Sequence, residues 1–159
     1  MNTKNINTLI NQSAWFNRIA LFVVYFWFGF LKIIGTSPAE GLVSRLFDET
    51  LVGIIPLNAF LPAFGIFECA LGLLWLFPKL TKLAFWTMCL HMFSTFLPMI
   101  LLMGDTWQSF MTLTLTGQYI IKNVVLVASS WFVFQLHTRQ TEEQAFRPAR
   151  KMVREYANA

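Results

Sequence analysis

Charge is what this chain lacks most. Only 13% of its 159 residues are Asp, Glu, Lys or Arg, against 56% that are hydrophobic, and the mean hydropathy is +0.55. Soluble globular domains carry about 25% charge, so this balance excludes them and points to lipid as the solvent. Cysteine is almost missing as well. Cys69 and Cys89 both fall inside apolar stretches, and no CxxC pair exists to relay thiols or begin a zinc site. Of the two histidines, His91 stands alone within its apolar run while His137 lies near the opposite, cytoplasmic end, which argues against haem or metal ligation. No nucleotide, flavin or metal motif is present either. The net charge of +4 would suit a nucleic-acid partner, but the basic residues gather in the tail and in short loops beside apolar segments. That distribution belongs to membrane topology, with no nucleic acid implied.

What is present is long apolar runs. Four of them, at about 15–35, 57–77, 83–103 and 117–137, each approach the roughly 20 residues a helix needs to cross about 30 Å of hydrocarbon. Gly35-Thr36-Ser37-Pro38, Pro78-Lys79 and Gly104-Asp105 mark the breaks. Residues 1–14 then form an N-terminal segment, 15–137 a transmembrane domain and 138–159 a basic tail. Lys4, Arg18, Lys79, Lys82, Arg139, Arg147, Arg150, Lys151 and Arg154 flank one side, and only Arg45 the other. The positive-inside rule therefore puts both termini in the cytoplasm. Trp15, Trp75 and Trp86 fit the inner interface and Trp107 the outer one.

The connection over 36–56 opens with Ser37, Pro38 and Glu40 in N-cap, N1 and N3 positions, a capping-box pattern. Leu42, Val43, Leu46 and Phe47 follow at helical spacing, which predicts a short amphipathic helix on the outer surface. The alternation of Thr112-Leu113-Thr114-Leu115-Thr116 predicts an extended segment in the other outer loop.

Within the apolar runs, polar and small residues fall on stripes. These are Arg18, Tyr25, Gly29 and Lys32; then Gly65, Glu68, Cys69 and Gly72; then Thr87, His91, Ser94, Thr95 and Pro98; then Tyr119, Lys122, Asn123 and Ser129. Such faces turn away from lipid, so the expected architecture is an all-α membrane protein, an antiparallel four-helix transmembrane bundle around a partly polar core. At about 1.5 Å per residue, Glu68 lies about 16 Å below Leu57 and His91 about 18 Å below Met103, while Lys32 and Lys122 lie about 5 and 8 Å below their helix ends. An ionisable group at the bilayer centre costs on the order of 3 kcal/mol, so Glu68 requires a partner, with Lys122 and His91 the expected ones. Lys32 either joins them or snorkels to the outer headgroups. Tyr119 and Asn123 complete the candidate set as groups that orient a polar ligand or bond between helices.

Four segments together resemble the DoxX-like family of membrane proteins. They are Arg18 with Gly29 and Lys32; Glu68-Cys69-Ala70-Leu71-Gly72; His91 with Thr95-Phe96-Leu97-Pro98; and Gly117-Gln118-Tyr119-Ile120-Ile121-Lys122-Asn123. The resemblance covers nearly all of the membrane portion and implies a four-span bundle in a prokaryotic plasma membrane. The family takes its name from a subunit associated with thiosulfate oxidation and quinone reduction, and some relatives are linked to oxidant resistance. The missing CxxC sets this chain apart from four-helix quinone-linked thiol oxidoreductases.

Three function classes fit these residues. A binding or redox-accessory protein would hold a quinone-like or other small lipophilic molecule among Glu68, His91, Lys122 and Lys32. A proton-coupled small-solute transporter would use the same carboxylate and histidine, although the halves show no inverted repeat and four spans are few without a homo-oligomer. A non-catalytic subunit would use the stripes only to hold helices, beside a partner membrane subunit.

Overall fold

The computed structural model describes residues 3–51 and 54–157. The side chains of Lys4, Arg147, Arg150, Lys151 and Arg154, on which part of the expected orientation rests, lie outside the described residues. Helix α1 runs over Thr3–Ile33, α2 over Glu40–Thr50 and α3 over Leu57–Trp75. A 3-10 turn at Pro78–Leu80 leads into α4, Thr81–Phe96, followed by the short α5, Pro98–Leu101, and α6, Met103–Thr106. A hairpin of β1, Trp107–Ser109, and β2, Thr112–Leu113, then joins α7, Leu115–Ala157. The fold is all-α apart from that hairpin. Four segments, Asn5–Ile33, Leu57–Trp75, Pro78–Leu101 and Leu115–Phe146, are long and apolar enough to cross a membrane, one for each expected run.

The helix boundaries have local causes. Leu97 bonds only one turn back, through its N–H to Ser94 O, and Pro98, which has no N–H to offer, opens α5, so the third run is a helix in two pieces. The capping box at 37–40 does not form as expected. Ser37 Oγ accepts the Ala39 N–H at 3.3 Å and Ser37 O accepts the Glu40 N–H at 3.1 Å, a turn that delays α2 until Glu40. The extended outer segment stops at Leu113 because Thr114 acts as a cap: its Oγ1 accepts the Gly117 N–H at 3.1 Å and its backbone O accepts the Gln118 N–H at 3.0 Å. Helix α7 then runs without interruption from the fourth apolar run into the basic tail.

The four long helices pack as a ring: α1 on α3, α3 beside α4, α4 on α7, and α7 back on α1. Leu21, Tyr25, Leu71, Trp75, Ala84, Phe85, Met88, Met92 and Val133 form the shared core. Trp75, expected at the interface, is fully buried there. Only 17–33% of each membrane-length window is buried inside the protein. The outward faces carry Phe16, Trp27, Ile66, Leu90, Phe93 and Val125, all more than half exposed. Apolar cover on this scale far exceeds the patch a soluble monomer leaves bare.

The α1–α3 contact is the tightest. A Cβ on Gly29 would sit 2.6 Å from Gly65 O and 2.7 Å from Cys69 N, and one on Gly65 would sit 2.6 Å from Gly29 O. Both clashes are with backbone, which has no rotamer to yield. Gly29→Ala and Gly65→Ala should each cost about 1–3 kcal/mol by overpacking. Gly41, on α2 with nothing within 4 Å of its added Cβ, is the control. Thermal unfolding in detergent should show Gly41→Ala at or above wild type and both other variants well below it; three equal midpoints would contradict the close contact.

Candidate functional site

Glycine contact between α1 and α3 brings two ionisable groups face to face. Lys32 Cβ lies against Gly65, and one turn further along α3 Lys32 Nζ donates to Glu68 Oε2 at 2.6 Å. From α4, His91 Nε2 reaches the other carboxylate oxygen, Oε1, at 3.2 Å. Tyr25 OH of α1 and Thr95 Oγ1 of α4 each lie 3.4 Å from His91 Nδ1, at the long end of hydrogen-bond range. Lys32, Glu68, His91 and Tyr25 are 7, 5, 7 and 4% exposed, so the chain Lys32–Glu68–His91–Tyr25 is sealed from the surface.

Hydrogen-bond chemistry fixes the directions. An ionised Glu68 only accepts, so His91 donates from Nε2, and with a neutral ring Nδ1 accepts from Tyr25 OH. Thr95 spends its hydroxyl proton on His91 O at 3.0 Å and therefore offers Nδ1 a lone pair. Should His91 gain a second proton, Thr95 Oγ1 accepts the Nδ1–H.

Aromatic rings enclose it. Phe64 stacks on His91 with centroids 5.5 Å apart and 21° between planes, Phe67 lies at 5.9 Å, and Tyr25 meets the imidazole edge-on at 5.3 Å. Lys32 Nζ is also 5.5 Å from the Phe64 centroid. The stacking continues outward: Phe64 on Phe60 at 5.5 Å, and Phe60 on the buried Phe47 of α2 at 4.9 Å. Helix α2 is tied down beside this ladder by Arg45 Nε to Asp105 Oδ2 at 2.8 Å.

No family model, curated protein or solved structure matches this chain.

Of the six residues expected at the site, the fold unites Lys32, Glu68 and His91 and separates the rest. The expected Glu68–Lys122 pairing is replaced by Glu68–Lys32. Among the described side chains of α7 the buried ones are Gly117, Ile120, Ser130 and Val133, and Lys122, two residues past Ile120, points about 200° away from that face. Lys122 is exposed, with its Nζ 4.7 Å from the Tyr119 centroid, and Tyr119 itself is 60% exposed. Asn123 is half-buried on α7, which packs on α4 and α1. Depth counted from each helix's own end misplaced Lys32, because Leu57 starts α3 well beyond the level where α1 stops, as the Gly29–Gly65 contact requires. Tyr25 and Thr95 lay on the polar stripes without being assigned to the site, whereas Phe60, Phe64 and Phe67 carried their signal in i, i+4, i+7 spacing on the face of Glu68. Among the described residues no group of three or more His, Cys, Asp or Glu is placed to hold a metal.

The two lysines should therefore behave differently. Lys32→Met strands the buried Glu68 and should cost about 3–5 kcal/mol, while Lys122→Met, on an exposed face, should stay within about 0.5 kcal/mol of wild type. Unfolding of both variants in the same detergent checks the order, and a larger loss for Lys122→Met would contradict the pairing.

Proposed function

We propose that this chain is an integral membrane protein of the DoxX-like type that binds a quinone-like or other small lipophilic carbonyl compound and exchanges a proton with it through the Lys32–Glu68–His91–Tyr25 chain. In this reading the four long helices are antiparallel and span a prokaryotic plasma membrane with both termini cytoplasmic. The contacts of Gly29 with Gly65 and Cys69, of Phe22 and Phe26 with Gly72, and of Arg18 with Trp75 support the antiparallel register. The apolar outer faces support insertion.

One observation carries the functional part. Three ionisable side chains and a phenol, each less than a tenth exposed, are joined in one line inside an apolar bundle. Apolar residues of the same size would hold the helices as well or better, since a buried ion pair is weak as a stabiliser, and ionisable groups at this depth commonly serve a proton or ligand. A quinone needs a donor at a carbonyl oxygen and a proton route to it. His91 or Lys32 supplies the donor, and Glu68 and Tyr25 extend the route. Phe64 and Phe67 offer the flat apolar wall against which a ring stacks.

A second reading has its own support. The four polar groups satisfy one another, and two clefts among the described residues lie elsewhere, near Arg139 and near Arg18. A closed network of this kind suits a non-catalytic subunit whose polar residues only fix helix register.

Titration of a short-chain ubiquinone into the purified protein separates the two. The ligand reading expects saturable binding, weakened about tenfold or more by Glu68→Gln, the cost of one charge-assisted hydrogen bond. Tyr25→Phe, which removes one hydroxyl, should weaken it less while keeping the fold. Equal binding by wild type and both variants, or none by any of them, rejects the ligand reading in favour of the structural one.

A further inference from the structure

Arg18 is the other buried charge, and its surroundings differ from those of Lys32 in one respect. Its guanidinium donates from Nη1 to Trp75 O at 3.1 Å and from Nη2 to Thr81 Oγ1 at 2.7 Å, and the residue is 6% exposed. Both acceptors are uncharged. Among the described residues no carboxylate lies within ion-pair distance of it. Trp75 O ends α3, so the helix dipole offsets about half a charge, and the Trp15 ring, its centroid 6.0 Å from Arg18 Cζ, adds a weak cation–π contact; no anionic side chain among the described residues completes the compensation. A guanidinium carries five N–H donors, of which these two bonds use two.

Arg18 lines a cleft between α1, the 3-10 turn and α7, together with Asn11, Trp15, Pro78, His137 and Gln140. Among the described residues that line it, none is acidic. His137 can add only positive charge, and Gln140 Nε2 bonds Asn11 Oδ1 at 2.9 Å across the mouth. Lys79 and Lys82, both exposed, flank Thr81 in the chain. The cleft is some 21 Å along α1 from Lys32 by helix rise, so it is separate from the proton site.

We propose that this cleft binds a phosphate-type anion on Arg18, with His137 and the Asn11–Gln140 pair at its rim. The planar guanidinium fork matches two phosphate oxygens, and burial strengthens the pair against salt. The anion is either the headgroup phosphate of an acidic lipid or free phosphate. The lipid source rests on the proposed membrane insertion and fits the neighbouring Trp15, half exposed at the cleft edge; the free-phosphate source does not depend on it.

Gln140→Glu tests the site without touching the bonds of Arg18 to Trp75 and Thr81, because it places a competing carboxylate at the mouth. Arg139→Gln lowers the net charge by the same single unit from an exposed position outside the cleft lining, and controls for general electrostatics. The full chain in phosphate-free zwitterionic detergent is titrated separately with dioleoylphosphatidylglycerol and with inorganic phosphate. The result expected is saturable binding of at least one probe to wild type and to Arg139→Gln, weakened about ten- to hundredfold in Gln140→Glu. Phosphatidylglycerol binding alone assigns the site to a headgroup, and phosphate binding assigns it to a free anion. No saturable binding of either probe by wild type, or equal weakening by the two variants, would overturn the site.

Discussion

A carboxylate inside an apolar bundle has to be neutralised where it stands, and Glu68 is neutralised across a helix contact that only small residues allow. Gly29 and Gly65 bring the α1 and α3 backbones so close that a Cβ on either would meet the opposite carbonyl oxygen. At that separation Lys32 reaches Glu68 without extending toward the surface, and its long stem stays buried. The second carboxylate oxygen then takes His91 from α4. Three of the four long helices are thereby fixed in rotation and register by one side chain. The Tyr25 hydroxyl returns the chain of bonds to α1 through His91.

The same contact orders the surroundings. With α1 and α3 held together, Phe60, Phe64 and Phe67 line one side of Glu68 and His91, and the ladder they form ends on Phe47 of α2. The amphipathic helix is thus held by aromatic packing at one face and by the exposed Arg45–Asp105 pair at another. The exposed pair is worth little on its own, about 0–1 kcal/mol, so the buried ring of Phe47 is the firmer anchor. At the opposite end, Arg18 closes the turn between α3 and α4 by bonding both Trp75 O and Thr81 Oγ1. Of the buried charges of α1, Lys32 therefore holds the middle of α3 by ion pairing and Arg18 holds its C-terminal end by capping.

Much of this was legible in the residues. Apolar runs separated by Gly, Pro and charge give four helices of membrane length, and the stripe Arg18, Tyr25, Gly29, Lys32 is the buried face of α1. The stripe Gly65, Glu68, Gly72 is that of α3 on the same grounds. The partner of Glu68 was not legible, because periodicity ranks residues within a helix but carries no register between helices. Two lysines at similar depth were equivalent until the glycine contact set which helix α3 leans on. Lys122 also illustrates that polarity alone does not orient a helix: on α7 the buried face is defined by Gly117, Ile120, Ser130 and Val133, and the polar residues Tyr119 and Lys122 lie off it. The place of Trp75 was not legible for the related reason that a tryptophan near a helix end suits an interface or a core equally, and only the packing of the helices puts it in the core.

The pairing of Lys32 with Glu68 is the claim on which the rest stands, and a distance measurement reaches it directly. Solid-state NMR of the protein in lipid bilayers, with 15N at Lys32 Nζ and 13C at the Glu68 carboxyl, should show the dipolar coupling of an ion pair in contact, and no such coupling when the 15N label is at Lys122. Coupling from Lys122, or none from Lys32, would contradict the account.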